Sequence, residues 1–134
     1  MSNFLAVATV TAALRQLLDD AVSRDVSGAT ATAVRPNAPA GELPDPGVNL
    51  FLYQVTPNAS WRNADLPTRS GEGGLVQRPR AAIDVHYLLS FYGAESTLEP
   101  QRVLGSALRA LHEEPVLSRQ RIREVIDATP ALAA

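Results

Sequence analysis

An aspartate and a histidine two positions apart, inside an otherwise apolar run, are raw material for acid–base catalysis or for holding a metal. The stretch AAIDVHYLLSFYG, residues 81 to 93, offers this pairing in Asp84 and His86. An imidazole titrates near neutrality, and a neighbouring carboxylate can orient it or share a metal ion with it. Catalysis needs a nucleophile within reach of such a pair, and a zinc site needs at least a third protein ligand. The other histidine is His112, and the chain has no cysteine, which removes thiolate nucleophiles, cysteine metal sites and disulfides.

The element that carries the pair argues for architecture. With period two, Ile83, Val85, Tyr87, Leu89 and Phe91 share one face, and Ala82, Asp84, His86, Leu88 and Ser90 share the other. The pattern predicts a strand of about ten residues, with Asp84 and His86 pointing the same way about 7 Å apart. That separation is too wide for a direct hydrogen bond unless the side chains lean together. Polar residues at i and i+2 are ordinary on the wetter face of a strand. His112 falls near the end of a predicted helix, where a positive charge is favourable for structural reasons.

Other elements follow from periodicity and breakers. Residues 3–23 repeat apolar side chains at helical spacing through Leu5, Val10, Leu14, Leu17, Leu18 and Ala21, with Ser2 or Asn3 as the expected cap and Asp25 and Gly28 as the stop. Residues 30–35 read as a short strand. Four prolines between Arg35 and Gly47 forbid regular structure there. VNLFLYQVT, residues 48–56, is apolar on both faces, which predicts a central strand covered on both sides. Residues 97–115 form a helix with Pro100 in its first turn and a stripe of Val103, Leu104, Ala107, Leu108 and Leu111. A third helix starts after Ser118 as N-cap, with Ile122, Val125 and Ile126 on its apolar side and Arg119, Arg121 and Arg123 making it basic. The sequence has no internal repeat, heptad pattern, P-loop, dinucleotide fingerprint or HExxH motif.

The chain has 134 residues and is 46% apolar, enough for one domain with one core, residues 1–134. Net charge of −2 argues against nucleic acid as the partner, and the apolar runs fall short of the roughly 20 residues of a membrane span. No basic region precedes the first apolar run, so the reading is a cytosolic protein with no membrane insertion. All 12 basic residues are arginine. Codon bias in a GC-rich genome accounts for this simply; the functional reading is an assembly surface, since arginine favours bidentate pairing at interfaces. The long irregular stretch 57–79 has a glycine-rich tip at 70–74 and carries Trp61, Arg62, Asn63, Arg69 and Arg78. A loop of that length in so small a domain is usually functional or disordered, and Trp61 reads as a lid over the core or as an interface anchor. With Arg119 and Arg123, these residues are the interface candidates.

Three segments, NLFLYQVTPNASWRN, RPRAAIDVHYLLSFYG and EPQRVLGSALRALHEEPVLSRQRIREVI, resemble the cap, or tail-terminator, proteins of contractile injection systems. These are phage-tail-like particles with a contractile sheath around an inner tube. The likeness runs from residue 4 to about 127, in the same order and spacing. It implies an α/β (α+β) terminator fold, with a mixed or antiparallel sheet flanked by helices. It implies a six-fold ring of this chain on the distal end of the inner-tube and sheath proteins, where it stops their growth. It implies no enzymatic activity and no cofactor, and a cytoplasmic protein within a particle able to be released. Proteins of this kind continue further, with another helix and strand, so residues 1–134 correspond to their N-terminal portion. Two other readings stand beside it. One is an adaptor that binds a partner through the arginine-rich third helix without forming a ring. The other is a small acid–base or metal enzyme using Asp84 and His86.

Overall fold

A computed structural model of the chain describes residues 4–58 and 82–133. Helix α1 (Ala6–Asp25) is followed by strands β1 (Thr30–Thr32), β2 (Gly47–Pro57) and β3 (Ile83–Tyr92), then by helices α2 (Glu99–Glu113) and α3 (Arg119–Ala128). Single 3₁₀ turns lie at Ala40–Glu42, Glu95–Thr97 and Pro130–Leu132. The strands form one sheet in the order β1-β2-β3. β1 runs parallel to β2, with Thr30 opposite Gly47, Ala31 opposite Val48 and Thr32 opposite Asn49. β3 runs antiparallel to β2, because Thr56 meets His86 while Asn58 meets Asp84. The architecture is the expected α+β arrangement with a mixed sheet.

Two compact units make up the chain: Met1–Phe51 with Leu88–Ala134, and Leu52–Tyr87. In the first, α1 packs against β1, α2 and α3. Its inward side is Ala13, Leu17, Leu18, Ala21 and Val22, which meet a core built from Val26, Ala31, Val48, Leu50, Val103 and Ala107. Each fully buried leucine or valine contributes about 1.5–3 kcal/mol relative to exposure. A second patch joins Ala13 to Val125 and Leu132, with Leu117 and Ile126 packed around it. Gly28, at φ +80°, turns the chain out of α1. At Gly47 any Cβ would lie 2.2 Å from the carbonyl oxygen of Thr30, so only glycine lets β2 approach β1 this closely.

Several expectations shift in detail. α1 begins at Ala6, and its N-cap, Leu5, makes no side-chain cap bond; Ser2 and Asn3 lie outside the described residues. β1 ends at Thr32 instead of continuing to Arg35, because the side chain of Asn49 takes over the polar groups that follow. On α2 the buried face is Val103, Ser106, Ala107 and Ala110, while Leu104 and Leu108 are exposed. These small residues face inward where α2 packs against α1. Ser118 caps α3 as expected, its hydroxyl accepting from the Arg121 amide at 3.1 Å. In the unit Leu52–Tyr87, Tyr53, Gln54 and Val55 are all exposed, so β2 is not covered on both sides along its whole length.

Candidate functional site

Within the Leu52–Tyr87 unit, Asp84 and His86 each turn to the neighbouring strand. Asp84 accepts a 2.9 Å hydrogen bond from the Asn58 amide, and His86 Nε2 lies 3.2 Å from the Thr56 hydroxyl. The ring of Tyr53 is 6.3 Å from the His86 ring, tilted by 56°. These are cross-strand pairs of the kind that stabilise a hairpin. His112 is exposed, in the last turn of α2. Among the described residues no group of three or more His, Cys, Asp or Glu is placed to hold a metal ion.

The arginines of α3 divide by helical geometry. Arg121 turns inward and is largely buried. Its guanidinium donates to both carboxylate oxygens of Glu114, at 3.1 and 3.0 Å, and to Asp20 of α1 at 3.3 Å. The Glu114 hydrogen bonds, followed by that to Asp20, raise its pKa above the ordinary arginine value against the opposing effect of burial. Arg121 thus ties α1, the connector after α2, and α3 together. Arg119 and Arg123, one turn apart, lie on another side with Ile122 and Ile126. That face and the start of α1, through Leu5 and Val10, bound a groove of about 620 Å³. None of the described residues lining it carries a negative charge.

A second polar tie sits at the last residue of α1, Asp25. Asp25 accepts hydrogen bonds from the Ser106 hydroxyl at 2.7 Å and from Arg109 on α2, and Arg24 lies at 3.6 Å. The Ser106 bond is the main reason its carboxyl is held below the usual range. In the sheet, the fully buried Asn49 receives the Thr32 hydroxyl at 2.7 Å and the Val34 amide at 3.0 Å, and donates to the Val34 carbonyl at 2.8 Å. The model of one protein family, the Pvc16 N-terminal domain, matches residues 9–134.

The chain belongs to the Pvc16 N-terminal domain family. This is a family related to contractile injection systems, in keeping with the phage-tail-like resemblance. No curated protein and no solved structure gives a significant match. Among the described residues no helix of this Pvc16-type domain is long and apolar enough to cross a membrane. Of the interface candidates, Arg119 and Arg123 come together on one wall of the groove. Trp61, Arg62, Asn63, Arg69 and Arg78 lie outside the described residues. Sequence reasoning missed the partnership of α3 with the start of α1, which joins residues more than a hundred positions apart. It also passed over Asn49, Asp25 and Arg121 as organising side chains. Asn49 did carry a signal: a lone amide in an apolar strand must find partners if buried.

Proposed function

We propose that this chain is a terminator of a contractile injection system, a structural protein that rings the distal end of the inner tube and sheath and stops their growth. The match to the Pvc16 N-terminal domain over residues 9–134 carries this reading. The exposed apolar side chains Tyr53, Val55 and Ile83 support it, since such residues are available for contact with other subunits. A helical tube grows because each end exposes an unsatisfied heterologous surface. A terminator matches that surface on one side and presents no equivalent on the other. Its partners on this reading are further copies of itself, the tube protein and the sheath protein, with no enzymatic step.

Electron microscopy of particles from cells with and without the gene tests the reading. Loss of a defined end, or tubes and sheaths of irregular length, supports it; particles of unchanged length and end structure overturn it. Restoring the gene with His86→Ala is expected to restore particle length fully. Failure of that variant, with its fold intact, favours chemistry at His86.

A further inference from the structure

The groove between α1 and α3 has a chemistry at odds with the chain as a whole. The chain is net negative, yet the ionisable residues among the described lining are Arg119 and Arg123, set around Ile122 and Ile126 and facing Leu5 and Val10. Neither guanidinium has an ion-pair partner among the described residues, whereas Arg24, Arg109 and Arg121 each do. Apolar walls with an unmatched positive rim call for an apolar side chain accompanied by a carboxylate.

The chain carries that combination elsewhere on its surface. Leu98, between β3 and α2, is 59% exposed and sits at φ +58°, ψ +33°, a left-handed conformation uncommon for a bulky residue. That conformation leaves the Leu98 side chain turned to solvent and available for contact. The turn is built to hold it. Glu99 Oε1 accepts from the Ala94 amide at 2.8 Å, the Glu99 amide donates to the Ala94 carbonyl at 3.1 Å, and the Leu98 amide donates to the Glu95 carbonyl at 3.1 Å. The Leu98 amide thus closes the turn onto the Glu95 carbonyl, and Glu95 and Leu98, both exposed, bracket the turn at its two ends. The Glu95 carboxylate has no partner among the described residues. The carboxylates near exposed Val116 differ, because Glu113 and Glu114 already face Arg109 and Arg121.

We infer that the Glu95–Leu98 turn of one copy docks into the α1/α3 groove of a second copy, Leu98 against Ile122 and Ile126 and Glu95 between Arg119 and Arg123. Turn and groove are different surfaces, so the contact is head-to-tail, the kind that closes rings or extends chains. The inference rests on the terminator reading in that copies must meet this way to form a ring.

Light scattering on the purified chain tests it with two variants. Arg119→Glu with Arg123→Glu breaks the groove. Glu95→Ala with Leu98→Asn breaks the turn, and asparagine tolerates the left-handed conformation, so that variant keeps its fold. The wild type is expected to associate with rising concentration, and the groove variant to weaken association about a hundredfold through like-charge opposition to Glu95. Each variant alone stays monomeric, while an equimolar mixture forms dimers and nothing larger, because one intact turn meets one intact groove. Variants that associate like the wild type overturn the docking and leave the ring reading standing. A wild type that stays monomeric also overturns it, and the ring reading then stands or falls on the particle micrographs. If, in addition, only the groove variant is lost from particles, the groove's occupant is another particle protein.

Discussion

β2 has two fates along its length. From Gly47 to Leu50 every residue is buried, including the amide of Asn49; from Tyr53 to Val55 every residue is exposed. Yet VNLFLYQV reads as one apolar strand. In the helical unit, Ala13, Leu17, Leu18, Val22 and Val48 are buried in one core, although Leu98, Leu104 and Leu108 stay exposed. In the Leu52–Tyr87 unit, Tyr53, Val55 and Ile83 are exposed, beside the cross-strand polar pairs of β2 and β3. The buried half of β2 belongs to that core, whereas Tyr53, Gln54 and Val55 lie exposed outside it.

Substitutions in the two regions should differ in cost. Leu18→Ala is expected to destabilise the protein by about 2–5 kcal/mol in urea denaturation, because a buried leucine leaves a cavity. Tyr53→Ser should change stability by about 0.5 kcal/mol or less, while weakening assembly of particles. Next in size is Asn49→Leu. It leaves the Thr32 hydroxyl and both backbone groups of Val34 without their partner, at about 1–3 kcal/mol in total, because Thr32 and Val34 are only half-buried and water reaches them. Arg121→Met is smaller, about 1 kcal/mol, because Asp20 and Glu114 are both well exposed and water screens them once they are released.

The smallest expected effect is a pH dependence that arises in the helical unit alone. The Asp25 carboxyl is held below its ordinary value by Ser106 and Arg109. Its contribution is complete above the unfolded carboxylate pKa of about 3.9 and is lost as pH falls through the lower folded value. Asp25→Asn should therefore flatten the acid limb of the urea midpoint against pH, with little change at neutral pH beyond a constant offset. An unchanged acid limb would show that the Ser106–Asp25–Arg109 tie does not form in solution.

Most of the fold was legible because period and punctuation are local. The breakers at Gly28, Pro100 and Pro115 and the cap at Ser118 bound the helices, and the alternation from Ile83 to Phe91 placed β3. What escaped depends on which neighbour an element meets. Leu104 and Leu108 looked like core because they are large, but Ser106 and Ala110 join the expected Val103 and Ala107 on the buried face. The three arginines of α3 looked equivalent in sequence. Only the third dimension separates Arg121, which binds the chain to itself, from Arg119 and Arg123, which line a groove. The resemblance to proteins of contractile injection systems led to a family related to them, while the site candidates between Trp61 and Arg78 fall outside the described residues.

Asn49 also has a consequence for how the chain avoids folding wrongly. With Val48, Leu50, Phe51 and Leu52 around it, β2 would bury an apolar face in either of two alignments against β1, and greasiness alone does not choose between them. Sliding β2 by one residue would set Val48 or Leu50 opposite Thr32 and aim the amide at the wrong layer, stranding the polar groups of Thr32 and Val34. One side chain thereby makes a three-residue strand unambiguous, working as a key for alignment in a lock too short to align itself.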